Sequence, residues 1–470
     1  MRVLQICDHL DEIGGVSNYT RPLFQELKRQ GADVTILCTS PMLRHYHLFR
    51  RSGIREVGEQ VYEYFNCPLL QTNYSHPAND VSNRVVEKEL RRFLAGRRFD
   101  IAHIHSMVGL PASLYAILKE TGIPVVTTVH EYWWLCPYRV MVDFNNRICD
   151  GPEDFARCAF CTDRRGYVKD DRYRVFVLKL EKTFPRVHRL LFRLYRLFRP
   201  EKAPAAFRNL DFGETKVPEG YHPERAAAWQ RRLDACIGGL NLCEKVIGVS
   251  EDVKRLLVKY GVDPDRILVQ HIGSVIAEKT VEHTRKVDPE NVAIGFIGGV
   301  GFYKGVHQMV QAYVRLPEAL KSRSHLEIFG KYDQRYVDAI VSSYLGNVDD
   351  LGRVTFHGRF QPEEIPSITN RIDLSVLPSL CADTAPQTIF ESFNAGLPII
   401  APRVGGFQDF IRDGVNGLLY PAGDVDGLTA CMRQVLENPD LIDLFRSAIP
   451  RTKTLRENAQ ELVELYKTLC

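Results

Sequence analysis

Two spacings of apolar residues alternate along the first part of the chain. Residues 2–8 form a short apolar run that closes in polar residues and Gly14-Gly15. Residues 19–30 then place Leu23, Phe24 and Leu27 on one helical face, with Gly31 as the stop. Residues 33–39, 101–105, 124–129 and 245–249 predict further strands, and residues 86–94 and 112–120 carry helical spacing between them. Repeated strand–helix–strand order predicts a parallel sheet covered by helices on both faces. Residues 276–290 are polar and without period, which predicts a linker. A second strand–helix series begins at residues 291–297 and continues through 325–329, 354–357, 373–377 and 398–401. Residues 455–469 predict a closing helix with Leu462, Val463, Leu465 and Tyr466 as its apolar positions. The fold class expected is α/β, with two Rossmann-like, doubly wound parallel-sheet domains. The expected boundaries are 1–275, a linker at 276–290, a second domain at 291–450 and a last helix at 451–470. Residues 131–240 interrupt the first series at a length no simple connection needs, and predict a helical, cysteine-rich insertion within that domain.

Composition narrows the class. A chain of 470 residues exceeds what one core usually serves, in keeping with two domains. With 45% hydrophobic and 25% charged residues it reads as globular, and a net charge of only +3 argues against a nucleic-acid binder. Asp8 and His9 interrupt the first apolar run before it reaches the length of a signal sequence, and no run of apolar residues is long enough to span a bilayer. Most of the 12 cysteines stand singly in apolar strands, as Cys7 and Cys38 do, so a reducing, cytoplasmic setting is expected.

Three loops gather candidate chemistry, because ligands of open parallel sheets bind beyond the carboxyl ends of the strands. Gly14-Gly15-Val16-Ser17 joins the first strand to the first helix and offers close backbone approach and free N–H groups to an anion. Residues 298–307 open the second domain with four glycines around Lys304, the donors and point charge a diphosphate needs. A lysine at a helix start opposes the dipole unless an anion lies nearby. Residues 378–398 run from strand end through a loop into a helix, with Pro386 at its first turn and Gly396 at its stop. Asp383 in the loop and Glu391 in the helix stand eight apart, and both can accept hydrogen bonds from sugar hydroxyls.

Two features lie in the insertion. Cys136, Cys149, Cys158 and Cys161 end in a C-x2-C pair, a chelating spacing, and four thiolates complete a tetrahedral shell. A structural zinc site is the expectation, with an iron–sulfur cluster, reduced thiols or disulfides as the other readings. Arg186, Arg189, Arg193, Arg196 and Arg199 recur at helical steps among Leu190, Leu191, Leu194, Tyr195, Leu197 and Phe198. A basic amphipathic helix of this kind suits an anionic membrane surface, and equally a helix packed on its own protein with arginines in water.

The three loops in this order resemble the retaining family 4 glycosyltransferases of GT-B fold. The likeness covers almost the whole chain apart from residues 162–230, and is strongest in the Asp383-x7-Glu391 element. Further matching pieces are residues 100–105, 127–133, 248–250 and 413–417, and four-cysteine loops occur in some members. The resemblance implies that Lys304 holds the diphosphate of a UDP- or GDP-linked sugar and that Glu391 binds the ribose. Asp383 would contact the donor sugar, and His130 would lie beside the reacting centre. Gly14 and Gly15 would approach the phosphate from the first domain, the acceptor side. Gly299, Gly330, Thr384, Ala385 and Pro386 would line the donor site, and Gly358 and Arg359 would flank the base. It implies a glycan or lipid-linked acceptor, as in surface-polysaccharide or glycoconjugate synthesis, no catalytic metal, and a last helix that returns to the first domain. Two positions depart from the pattern. Gly299 stands where an arginine is common, and Asp383 replaces a glutamate. These departures motivate a second reading, a catalytically weak scaffold that binds a partner or glycan. A nucleotide-sugar epimerase of the same fold is a third, which the surroundings of Asp383 disfavour.

Overall fold

The computed structural model describes the chain except residues 9, 11–14, 40–45, 71–72, 165–170, 199–214, 279–282 and 347, and the side chains of 193, 195–198, 348 and 362. Two sheets organise it. The first holds β1 (Arg2–Cys7), β2 (Asp33–Cys38), β3 (Gly53–Gly58), β4 (Val61–Phe65), β5 (Ile101–Ile104), β6 (Val125–Val129), β7 (Lys245–Gly248) and β8 (Ile267–Val269). Their order is β3-β4-β2-β1-β5-β6-β7-β8, parallel throughout except for the β3–β4 hairpin at one edge. The second sheet holds β9 (Val292–Ile297), β10 (Ser324–Phe329), β11 (Val354–Gly358), β12 (Leu374–Val376), β13 (Ile399–Pro402) and β14 (Gly417–Tyr420), ordered β11-β10-β9-β12-β13-β14 and wholly parallel. This is the α/β GT-B architecture of two Rossmann-like domains. Central strands such as β9 are buried along their whole length, as strands covered on both faces must be.

The edge strand β3 of that hairpin escaped the sequence reading for a physical reason. β3 buries only its first residue, so its pattern carries little of the apolar signal by which strands are recognised. In each sheet the winding direction reverses beside the first strand, between β1 and β5 and between β9 and β12. The loops that leave the carboxyl ends of these strands are therefore the ones placed to hold a ligand.

The path from β6 to β7 contains a short turn at Tyr132–Trp134 and the helices Phe155–Arg164, Asp171–Thr183, Pro185–Phe198 and Pro223–Leu240. The last of these is part of the domain body. Its Arg232 is buried, donates to Asp80 at 2.7 Å and to the Trp133 carbonyl at 2.8 Å, and lies over the Trp133 ring. The helix Leu455–Leu469 starts in a Thr454–Glu457 capping box and buries Leu455, Asn458, Ala459, Leu462, Val463 and Tyr466. It packs on the helix Gly15–Arg29, and its Tyr466 reaches the first sheet. Among the described residues, no helix is long and apolar enough to cross a membrane.

Candidate active site

The loop after β9 is shaped by glycine. Gly298 has a φ of 147°, and Gly301 leads into the short turn Phe302–Lys304. Gly305 then adopts a φ of 70°, and a Cβ there would fall 1.7 Å from the Pro378 carbonyl oxygen. No other residue type fits a left-handed position pressed against backbone in this way. The loop after β9 is thus seated on the loop after β12, and Lys304 emerges between them.

The anion that a helix-start lysine calls for is Asp383. Its carboxylate oxygens lie 2.9 and 3.0 Å from the Lys304 ammonium, and one of them also accepts from the Ser379 hydroxyl at 3.0 Å. Burial pulls the Lys304 pKa down, but the facing carboxylate outweighs it and the net shift is upward, so the group is a cation at neutral pH. Asp383 and Lys304, both expected at the donor site, are paired with each other.

Thr384 carries the next contact across to the first domain, where its hydroxyl donates to the His130 carbonyl at 2.6 Å. Two more glycines permit this. A Cβ on Gly405 would meet the Asp383 carbonyl at 2.4 Å, and one on Gly406 the Thr384 carbonyl at 2.1 Å. The Gly406 N–H donates to the Asp383 carbonyl at 2.8 Å, fixing the strand of backbone that presents both side chains. Ala385 and Pro386 follow, and Pro386 caps the helix Gln387–Asn394, which carries Glu391. Burial raises the Glu391 carboxyl to about 7.

His130 is half-buried, with its ring 5.0 Å from that of Tyr19 and stacked 5.4 Å from that of His105. Burial lowers its pKa to about 3, so it is neutral at pH 7. Gly15 opens the helix Gly15–Arg29 with no atom near the position of a Cβ, while Gly14 lies outside the described residues. Gly299 is equally open. Gly330 follows β10 and Gly358 ends β11, beside Gly298: the Gly298 N–H meets the Phe329 carbonyl at 3.0 Å, and the Gly330 N–H meets the Gly358 carbonyl at 2.8 Å. Arg359 is exposed beyond them, next to His357, which stacks on Phe329 and contacts Glu327 at 2.7 Å.

The structure thus joins Lys304, Asp383, Thr384 and His130 in one chain of contacts, and lines Gly298, Gly330 and Gly358 along one rim. No direct contact links Glu391 to Lys304 or Asp383 among the described residues. Ser379 escaped the sequence reading. Ser379 is a hydroxyl in a loop full of them, and only its distance to Asp383 marks it.

The four cysteines of the insertion line a single cavity of about 40 Å³ with Tyr138, Met141 and Arg157. None is in a disulfide. Burial raises the Cys158 thiol strongly, and the neighbouring Cys136, Cys149 and Cys161 raise it further. As placed, no three of the described His, Cys, Asp or Glu side chains close into a group able to hold an ion.

The fold and its paired loops define a GT-B glycosyltransferase architecture. Residues 14–149 match the family described as glycosyl transferase 4-like domain, and residues 291–438 match glycosyl transferases group 1. The chain is 28% identical over 214 residues to the 2-deoxystreptamine glucosyltransferase of Streptomyces kanamyceticus, covering 45% of this chain and 50% of that protein. It is 30% identical over 138 residues to the lipopolysaccharide core biosynthesis glycosyltransferase LpsE of Rhizobium meliloti, 29% of this chain and 37% of that one. Such curated relatives are matched over 30 to 62% of their own length. Among solved structures, sucrose-phosphate synthase from Thermosynechococcus elongatus superposes with a TM-score of 0.59 at 15% identity, covering 100% of this chain and 98% of that one. Anabaena HepE in complex with UDP gives 0.58 at 14% identity, with 100% of each chain covered. At such identities these two likenesses speak for the fold.

Proposed function

We propose that this protein is a retaining glycosyltransferase that moves a sugar from a nucleoside diphosphate donor to a glycan or lipid-linked acceptor in glycoconjugate synthesis. The observation that carries the reading is the Lys304 ammonium, held in a glycine-built turn at a helix start and paired with the Asp383 carboxylate, whose neighbour Thr384 reaches the His130 carbonyl. Cleavage of a sugar–phosphate bond leaves negative charge on the diphosphate, and a preorganised cation beside free N–H dipoles lowers that barrier. Lys304 supplies the cation. The starts of the helices Gly15–Arg29 and Val306–Val314 supply the dipoles. Solved relatives of this fold bind UDP and UDP-glucose, which supports a donor of that class. The donor's diphosphate competes with Asp383 for Lys304, so binding exchanges one anion for another and frees the Asp383 carboxylate for a sugar hydroxyl. Glu391, Thr384 and His130 complete the donor side.

The test is transfer, or donor hydrolysis, by the purified chain across uridine, guanosine and adenosine diphosphate sugars, after a thermal-shift screen for the donor that stabilises it. Lys304→Ala is expected to abolish both reactions. If the unmodified chain binds a donor yet neither transfers nor hydrolyses it, the protein is a binding scaffold and the enzymatic reading falls.

The four thiols suit a structural zinc in donor type and in facing one small cavity, although they do not close on it as placed. Cys136, Cys149, Cys158 and Cys161 would hold it, and it would pin the loop that follows His130. Metal analysis of chain purified without chelator is expected to find one zinc, lost in Cys158→Ser. A zinc content of zero with iron absent removes the site.

The helices Asp171–Thr183 and Pro185–Phe198 favour a peripheral contact with an anionic membrane at the cytoplasmic face. Phe176, Leu190, Leu191, Phe192 and Leu194 are 43 to 59% exposed, beside exposed Arg186 and Arg189. Arg193 and Arg196 share that helix, and Arg199 lies outside the described residues.

A further inference from the structure

Gln5 sits in the middle of β1 with no exposure to solvent. Its amide oxygen is 2.8 Å from Nε2 of His105, and its amide nitrogen donates to the Tyr466 hydroxyl at 3.3 Å. On the far side of the His105 ring, Nδ1 lies 3.1 Å from Nε2 of His130. An amide oxygen can only accept, so Nε2 of His105 carries a hydrogen. Burial pushes His105 well below its ordinary range and His130 to about 3, so each neutral ring has one N–H. Nδ1 of His105 is therefore a lone pair, and the hydrogen between the two rings belongs to Nε2 of His130. The other nitrogen of His130, Nδ1, has no hydrogen-bond partner among the described residues, and the residue is half-buried.

We infer that Gln5 and His105 are positioning residues that fix His130 as its Nε2–H tautomer and present Nδ1 to the cleft as a hydrogen-bond acceptor. The functional consequence rests on His130 belonging to the reacting centre; the order of the hydrogens does not. A lone pair at Nδ1 receives a hydroxyl hydrogen from donor sugar or acceptor, whereas an N–H would repel it.

The orientation of the Gln5 amide decides the outcome, because a flip would reverse every hydrogen down the line. Tyr466 sets it. Its hydroxyl takes the Gln5 N–H and also contacts Nδ1 of His103, whose Nε2 meets the Thr128 hydroxyl at 2.7 Å. Tyr466 belongs to the closing helix, so that helix touches the amide on which the order of hydrogens depends. Tyr19 holds the ring from another side while its hydroxyl donates to Asn458 of the same helix at 2.7 Å.

The test is a long-range proton–nitrogen correlation spectrum of the full chain labelled with 15N-histidine at neutral pH. His105 and His130 are assigned by the peaks lost in His105→Gln and His130→Asn. Both rings are expected to show Nε2–H with an unprotonated Nδ1. Gln5→Leu removes the acceptor and is expected to turn His130 into a mixture of tautomers. Gln5→Glu, which can only accept, is expected to restore the single form. Under the transferase reading, Gln5→Leu lowers kcat about tenfold with the donor KM unchanged. An Nδ1–H pattern at His130 in the unmodified chain overturns the inference, and so does a Gln5→Leu spectrum identical to it. Spectra as expected with transfer unaffected would uphold the hydrogen order and remove His130 from the reaction.

Discussion

Lys304 and Asp383 form an ion pair at the one place where a diphosphate is expected, and this gives the residue scale its sharpest prediction. Asp383→Asn removes the competing anion but keeps the shape of the side chain. Nucleoside diphosphate affinity is expected to rise several-fold by calorimetry, while sugar transfer falls, because the freed carboxylate is lost. Unchanged affinity would show that the pair stays intact when the donor binds. Glu391 gives a second prediction through pH. Its folded pKa of about 7 exceeds the ordinary value of 4.5, so between these two the folded state holds a proton that the unfolded chain has released. Stability from this group is full below pH 4.5 and is lost as pH rises towards 7. Glu391→Gln is expected to unfold at higher denaturant than the parent above pH 7, by on the order of 2 kcal/mol, and to match it near pH 4.5. A difference that does not vary with pH would refute the assignment.

Among the elements, the helix Pro185–Phe198 stands apart because apolar side chains there face solvent rather than a neighbour. Leu190 is 59% exposed, whereas the helix Gly15–Arg29 buries Leu23, Phe24 and Leu27 entirely or nearly so. Stems of arginine beside such a face suit the boundary between lipid headgroups and acyl chains. Flotation with anionic liposomes is expected to carry the protein, and replacing Arg186, Arg189, Arg193, Arg196 and Arg199 together is expected to release it. Raising the salt should weaken the contact in parallel. Equal flotation of parent and variant would leave the helix as a surface feature of the protein alone.

For the whole molecule, the closing helix ties the two halves into one unit. It follows the second domain in sequence, yet its buried face lies against the first, where Tyr466 completes the buried network behind His130. Each large side chain it buries contributes roughly 1.5–3 kcal/mol. Deleting residues 455–470 is expected to lower Tm by roughly 10 °C or more and to reduce kcat beyond what lost stability explains. Retained activity at a temperature where the shortened chain stays folded would refute the second half of that expectation. Acid tests the same network. His103 and His130 have folded pKa values of about 3 against an ordinary 6.5, so stability is full above 6.5 and is lost as pH falls from there towards 3.

Apolar spacing along the chain determined the two parallel-sheet domains, because strands buried on both faces and helices buried on one write different periods into any sequence. Glycine clusters beside Lys304 and around Asp383 were legible for a similar reason: a backbone that must pass close to another backbone, or turn left-handed, admits little else. The edge strand β3 stayed hidden because an exposed strand carries almost no apolar signal. What the chain order could not express is which polar groups meet. The partner of Lys304 lies 79 residues away, that of Thr384 lies 254 away, and that of Gln5 lies 461 away. Contacts at such separations depend on strand order and on the seating of one loop against another, which are properties of the folded whole. The tertiary structure alone therefore decided that Asp383 faces a lysine and that Tyr466 of the closing helix meets Gln5 behind the histidines of the first sheet.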